Sequence, residues 1–146
     1  MFLERLKQGL KNMVIKNHEQ TAHSPSTLAK IRSVGIGEKL SDKQKTFGCT
    51  YRRLDPDKPS PTVTRSGYRD FIHPFQDRML TVRELACLQT FPVSWEIVGV
   101  RLDSYSHNRH VEMTQFGQVG NAVPPVLAKA VAESVKEQFF TKRRPS

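Results

Sequence analysis

A glycine, a polar residue and a pair of prolines form the first pattern in this chain that could serve chemistry. Gly120 permits close backbone approach, and Pro124 and Pro125 favour a helix that opens just beyond Asn121. Amides at a helix start and the positive end of the helix dipole favour an anionic group. The pattern therefore predicts a site for the anionic part of a ligand. The alternative is an ordinary turn before a proline-started helix.

Arginines, hydroxyls and tyrosines are interleaved between residues 51 and 70. Guanidinium and hydroxyl groups suit phosphate contacts, which position DNA without reading its sequence. The candidate DNA-contacting residues are Arg52, Arg53, Thr62, Arg65 and Arg69. For each arginine the alternative is a solvated charge or a local ion pair with Asp55, Asp57 or Asp70.

The net charge of +9 is unevenly distributed along the chain. Residues 1–69 contain 14 basic and 6 acidic residues, whereas residues 70–141 contain 6 basic and 8 acidic ones. A basic half beside a near-neutral half indicates a surface that faces a polyanion and another that faces a scaffold. The alternative is a basic protein whose lysines are simply solvated.

Metal, disulfide and membrane chemistry have no support in the sequence. Cys49 and Cys87 lie far apart without a CxxC motif, and the histidines form no helical HxxxH pair. No apolar run is long enough to span a membrane, and the amphipathic pattern of residues 2–16 lacks the apolar core of a secretory signal. We therefore expect a reducing cytoplasm and no membrane partner.

The elements that would position the basic residues are short. Ser24 and Pro25 begin a helix that is expected to end at Gly35, and strands are expected at residues 51–53 and 62–65. The proline-rich segment between those strands forbids continuous pairing.

Two further helices are expected later in the chain, separated by an irregular stretch over residues 94–115. Thr81 and Glu84 form a capping box that opens the first, which Pro92 ends. The second starts at the proline pair and runs toward Phe140, with an apolar face formed by Leu127, Ala130, Val131 and Val135. Hydrophobic residues make up only 37% of the chain, which suggests that another polypeptide completes its apolar surface.

Two segments have residue sequences that helix formation alone does not explain. They read RELACLQTFP at residues 83–92 and QVGNAVPPVLA at residues 118–128. In this order and spacing they resemble the ninth and tenth sequence motifs of the DNA cytosine-5 methyltransferases. The preceding stretch, YRRLDPDKPSPTVTRSGYRDFIHP, resembles the end of that family's target-recognition region. The resemblance covers residues 17–138.

The resemblance implies an α+β fold in two parts, and a role in DNA methylation in a restriction–modification system. Residues 1–78 would form the C-terminal part of a DNA target-recognition region with short strands, and residues 79–146 would supply helices that complete a Rossmann-like methyltransferase domain. It implies double-stranded DNA as a partner, and Thr62 matches a family position that touches the DNA backbone. Arg83 is expected to make contacts within the chain. Cys87 stands where the family often has Arg, and it is expected to be a buried small residue.

The cofactor of the family is S-adenosylmethionine, which carries a carboxylate. By resemblance, part of its pocket is formed by Gly120, Asn121, Ala122 and Val123. Asn121 is the best side-chain candidate. The family often has Ser where this chain has Ala122, so a hydroxyl contact is absent there and a backbone contact could remain.

Methylation of cytosine C5 requires attack by a thiolate on a flipped base. The family's Pro-Cys-Gln nucleophile motif, its Glu-Asn-Val base clamp and its Phe-x-Gly-x-Gly cofactor turn do not occur in this sequence. We therefore expect no catalytic residue and no methyl transfer by the chain alone. Three explanations are open: the small subunit of a split enzyme with a partner chain that carries the missing motifs, an inactive remnant, or a non-enzymatic DNA-binding module.

Overall fold

The computed structural model describes residues 15–40, 50–64, 69–101 and 113–141. The amphipathic pattern of residues 2–16 lies almost wholly outside these ranges. Within them the chain is a small α+β arrangement. Its elements are α1 (Pro25–Arg32), β1 (Arg52–Arg53), β2 (Phe71–Ile72), α2 (Val82–Leu88), α3 (Gln115–Asn121), α4 (Pro125–Lys136) and a π-helical turn (Glu137–Thr141).

Helix α1 begins as the sequence predicts. The Ser24 hydroxyl accepts the amide of Thr27 at 3.3 Å, and Pro25 occupies the first turn, where its missing amide costs no hydrogen bond. Gly35, the predicted stop, lies two residues beyond the cap residue and does not cap the helix. The helix ends at Arg32, and its cap residue Ser33 keeps a right-handed conformation, so no glycine is needed there.

The sheet consists of β1 and β2, which pair in parallel with Arg52 opposite Phe71 and Arg53 opposite Ile72. The strand predicted for residues 51–53 is therefore confirmed in part. The one predicted for residues 62–65 is wrong for its described part, since residues 62–64 form no strand and Arg65 lies outside the described ranges. Thr64 is instead held by a hydrogen bond between its hydroxyl and the Asp70 carboxylate.

Two hydrophobic clusters form the core. The larger contains Leu54, Val63, Phe71, Leu80, Val82, Leu85, Ala86, Ile97, Phe116 and Val119. The smaller contains Ile31, Val34, Leu40, Tyr51, Ile72 and Met79. Both clusters join residues from the two sides of position 78, so the two predicted parts share their core. The division at that position stays a prediction.

Side-chain caps begin both helices that build the larger cluster. The predicted capping box of α2 is confirmed, because Thr81 accepts the amide of Glu84 at 3.2 Å and Glu84 accepts the amide of Thr81 at 2.8 Å. Helix α3 falls partly in a stretch expected to be irregular. Its cap is Thr114, which accepts the amide of Gly117 at 3.1 Å and is a signal that the sequence does carry.

Helix α4 begins at the predicted proline pair but does not pack on the core. Every residue from position 126 to position 140 is exposed. On the predicted apolar face, Leu127 is 54% exposed and Val131 is 55% exposed. The isolated chain therefore leaves this face uncovered. Among the described residues, no helix combines the length and apolarity that crossing a membrane requires.

Candidate DNA interface and cofactor segment

Arg53 is one of the five predicted DNA-contacting residues, and the structure places it in the interior. Its Nε donates to the carbonyl of Val34 at 2.8 Å, and Nη2 donates to the carbonyl of Ile31 at 2.9 Å and to Asp77 Oδ1 at 2.9 Å. Its Nη1 donates to the carbonyls at positions 73 and 76, at 3.0 and 3.1 Å. A guanidinium has five N–H donors, and all five are taken. Arg53 is thus not available to DNA in this structure, and the prediction for it is corrected.

Arg52 precedes Arg53 on β1 and has the opposite environment. Successive side chains of a strand point to opposite faces, and Arg52 is half-buried where Arg53 is buried. Within the described ranges the Arg52 side chain makes no hydrogen bond or ion pair. Its backbone amide bonds to the carbonyl of Asp70 at 2.8 Å. The guanidinium donors of Arg52 are therefore not engaged by any described residue.

The other candidates lie near the same strand or outside the described residues. The carbonyl of Arg69 accepts the amide of Tyr51 at 3.2 Å, so the backbones of Arg69 and Arg52 run side by side at the start of the sheet. Thr62 is exposed, and Arg65 lies outside the described residues. The structure thus brings Arg52 and Arg69 together.

The aspartates near this strand are engaged by groups other than Arg52. The carboxylate of Asp70 accepts the hydroxyls of Thr50, at 3.1 Å, and Thr64. The Asp55 carboxylate pairs with Lys58 at 2.9 Å, and the hydrogen bond from Lys58 lowers the pKa of Asp55. A local ion pair of Arg52 with Asp55 or Asp70 is therefore not found.

Arg83, the first residue of the RELACLQTFP segment, joins three parts of the chain. The buried guanidinium donates to the carbonyls of Lys16 and Pro92, each at 3.1 Å, and to the carbonyl of Trp95. The expected contacts within the chain are confirmed. A second charged group of this helix, Glu84, accepts two hydrogen bonds from Arg78 at 2.7 and 2.8 Å. Partial burial acts to raise the pKa of Glu84, but the hydrogen bonds from Arg78 and the Thr81 amide lower it to about 2.

Cys87 is exposed, so the expectation of a buried small residue is wrong. It lies on α2 opposite the core-facing residues Leu85 and Ala86, which take the buried positions. Partial desolvation of the thiol raises the pKa of Cys87. Because the thiolate is the nucleophilic form, a raised pKa argues against a nucleophile at this position.

The residues predicted to contact the cofactor lie where α3 ends and the link to α4 begins: Gly120 and Asn121 are the last two residues of α3, and Ala122 and Val123 follow it. We call residues 120–123 the cofactor segment. Asn121 is exposed, and its Nδ2 contacts only the sulfur of Met113, at 3.5 Å. The Ala122 amide bonds to the carbonyl of Val119 at 3.3 Å, and Val123 is 64% exposed. The Val123 amide has no acceptor within the described ranges. The segment therefore offers a carboxamide and a backbone amide to a zwitterionic ligand, which fits S-adenosylmethionine.

The start of α4 has fewer free amides than the sequence suggests. Pro124 and Pro125 have no N–H, and the amide of Val126 donates to the Thr90 hydroxyl at 3.2 Å. The Ala128 amide already bonds to the carbonyl of Pro124 at 2.9 Å. Only the amide of Leu127 is left in the first turn. The expectation that several helix-start amides hold an anion is therefore corrected.

Comparisons with known proteins define the class. A crystal structure of a prophage-encoded DNA modification methyltransferase from E. coli superimposes with a TM-score of 0.60 at 26% sequence identity, over 92% of this chain and 32% of that one. The fold is thus that of a DNA methyltransferase segment. The family profile described as C-5 cytosine-specific DNA methylase matches residues 3–137, and the chain belongs to this family.

Two curated relatives differ in how much of their length is matched. The type II methyltransferase M.AquIB of Picosynechococcus sp. is 77% identical over 131 residues, which is 90% of this chain and 94% of the relative. The type II methyltransferase M.DdeI of Desulfomicrobium norvegicum is 42% identical over 94% of this chain but only 36% of the relative. The chain thus spans nearly all of one curated relative and about a third of the other.

Proposed function

We propose that this chain is the small subunit of a split DNA (cytosine-5-)-methyltransferase. It supplies DNA backbone contacts and part of the S-adenosylmethionine pocket, and a second chain supplies the nucleophile, the base clamp and the rest of the pocket. The uncovered apolar face of α4 carries this proposal. A helix exposed on all sides, with Leu127, Val131 and Val135 in one stripe, indicates a surface that a partner covers.

The match to M.AquIB supports the same assignment. That relative is named a type II methyltransferase, and 94% of it aligns with 90% of this chain, so it is a chain of about this size. A short chain of this kind is therefore not peculiar to one sequence. The sequence carries the last two family motifs without the thiolate motif, which agrees with a division of the enzyme between two chains.

DNA contact is assigned to the face of β1 that Arg52 occupies. Arg52 and the neighbouring Arg69 would bind phosphates as charged groups, and Thr62 would donate its hydroxyl. Arg65 belongs to the same predicted set. Contacts of this type fix the position of the duplex, and they leave the choice of target sequence to other residues.

The cofactor segment is assigned to one wall of the S-adenosylmethionine pocket. The bound cofactor supplies the methyl group. The Asn121 carboxamide and the Val123 amide of this chain would bind and orient its polar end. Because the remaining walls belong to the partner, cofactor affinity is expected only in the complex.

Co-expression tests the proposal. A split enzyme predicts an adjacent gene that carries the missing motifs. The chain is produced with the product of that gene, and incorporation of labelled methyl groups into mixed-sequence DNA is measured. We expect activity from the pair and none from either chain alone. Two variants of this chain are then co-expressed with the same partner. Val131→Asp places a charge on the apolar stripe and should prevent co-purification. Ala132→Asp adds the same charge about 100° further round the helix and should not.

The outcomes separate the three explanations. Methyl transfer by the isolated chain, or an isolated chain that melts sharply at high temperature and binds the cofactor unaided, would exclude an incomplete subunit. A chain that binds DNA but pairs with no methyltransferase chain would favour the non-enzymatic binding module. A frameshifted gene upstream would favour the remnant.

A further inference from the structure

The turn after α2 holds the chain on both sides of the cofactor segment. The side chain of Gln89 is buried, and its Nε2 donates to the carbonyl of Val119 at 3.2 Å. The next residue, Thr90, accepts the amide of Val126 with its hydroxyl, also at 3.2 Å. Two adjacent residues thus bind the chain immediately before the segment and shortly after it. Both residues belong to the RELACLQTFP segment, but the sequence indicates neither contact, because the partners lie 30 or more positions away.

Thr90 makes its contact from an unusual backbone conformation. Its φ is 63°, in the left-handed region that β-branched residues rarely adopt. The Thr90 amide donates to the carbonyl of Cys87 at 2.9 Å, so the turn continues directly from the end of α2. A strained residue that the surrounding structure maintains is a reason to look for a function at that position.

The Thr90 hydroxyl replaces a cap that α4 lacks. Pro124 occupies the cap position and has no side-chain hydrogen bond to offer, and Pro125 has no amide. The first amide of α4 is therefore that of Val126, and its acceptor comes from Thr90, 36 positions earlier in the chain. This bond fixes the point at which the cofactor segment enters α4. The Gln89 bond holds the last turn of α3, in which the segment begins.

We propose that Gln89 and Thr90 are positioning residues for S-adenosylmethionine binding. They hold the cofactor segment from both ends, so that the Asn121 carboxamide and the Val123 amide keep a fixed spacing. Neither residue touches the cofactor in this assignment. The inference rests on the proposed function, since the complete pocket exists only in the two-chain complex.

The test uses the co-expressed pair without DNA, so that no turnover is involved. Thr90→Val removes the hydroxyl, Thr90→Gly removes both the hydroxyl and the strain, and Thr90→Ser keeps the hydroxyl as the matched control. Equilibrium binding of S-adenosylmethionine and the melting temperature of the cofactor-free pair are measured for each. We expect cofactor affinity to fall about threefold to tenfold for Val and Gly, the range for loss of one hydrogen bond, and to stay near wild type for Ser. Gln89→Met should weaken binding by a similar factor.

The melting temperature distinguishes positioning from simple stabilisation. Glycine adopts a positive φ freely, so Thr90→Gly should melt at the wild-type temperature or above it while still binding the cofactor less tightly. Wild-type affinity in Thr90→Gly and Thr90→Val would overturn the inference, and the proposed function would stand because the pair still binds the cofactor. A fall in melting temperature that accompanies the lost affinity in Thr90→Gly would also overturn it, since the turn would then only stabilise the fold. A wild-type pair that binds no cofactor would overturn both.

Discussion

Replacing Arg53 by methionine should destabilise the chain severely, because one buried guanidinium satisfies four backbone carbonyls. The side chain of Arg53 is only 8% exposed. Its bonds to the carbonyls of Ile31 and Val34 are buried, so the substitution leaves two acceptors that water cannot reach easily. The remaining acceptors, at His73, Gln76 and Asp77, are nearer the surface and can be hydrated. An unsatisfied buried acceptor costs about 1–3 kcal/mol, so the whole change should cost about 3–5 kcal/mol.

That loss is a large part of the stability of a domain this size, which is typically about 5–15 kcal/mol. It corresponds to a fall in melting temperature of roughly 10 °C or more. The matched control is Arg52→Met, the neighbouring residue of the same type, whose side chain has no partner in the described part of the chain. Substitutions at such positions usually change stability by no more than about 0.5 kcal/mol.

Urea unfolding followed by far-UV circular dichroism measures both variants. The single tryptophan, Trp95, is a poor probe because it is 58% exposed. Arg53→Lys should be intermediate, since an ammonium keeps the charge but cannot reach all the carbonyls at once. If Arg53→Met and Arg52→Met unfold at the same urea concentration, the carbonyl network contributes nothing to stability. The reasoning about Arg53 would then be wrong.

Three further predictions concern DNA, pH and the cofactor. Arg52→Ala should lower DNA affinity and reduce the slope of log affinity against log salt by about one, whereas an unchanged slope would remove Arg52 from the interface. The pKa of Glu84 is lowered to about 2, so its stabilising contribution is complete above about pH 4.5 and is lost as the pH falls toward 2. Unfolding measured across that window should show up to about 3 kcal/mol of pH dependence that Glu84→Gln removes, and the same dependence in both proteins would contradict this. Asn121→Ala should reduce the cofactor-induced rise in melting temperature of the pair and leave assembly intact, and an undiminished rise would exclude an Asn121 contact.

Features that depend on neighbouring residues could be predicted from the sequence. The Ser24 cap and the Thr81–Glu84 capping box were both predicted, because each joins groups three residues apart. The start of α4 at the proline pair follows from the same local rules. Family membership was also visible in the sequence, since the two motif segments are contiguous and do not depend on how the chain folds.

Other features required the tertiary structure. Arg52 and Arg53 are identical neighbours in the sequence. The Arg52 side chain is half-buried and has no partner among the described residues, whereas the Arg53 side chain is buried and makes five hydrogen bonds. The carbonyls that receive Arg53 lie 19 to 23 positions away in the chain, so no local pattern marks them. The contact partners of Gln89 and Thr90 lie even further away along the chain. Residue type and spacing set the helix caps and the family. Whether each of these polar side chains is buried and bonded depends on which distant backbone groups the fold brings within hydrogen-bonding distance.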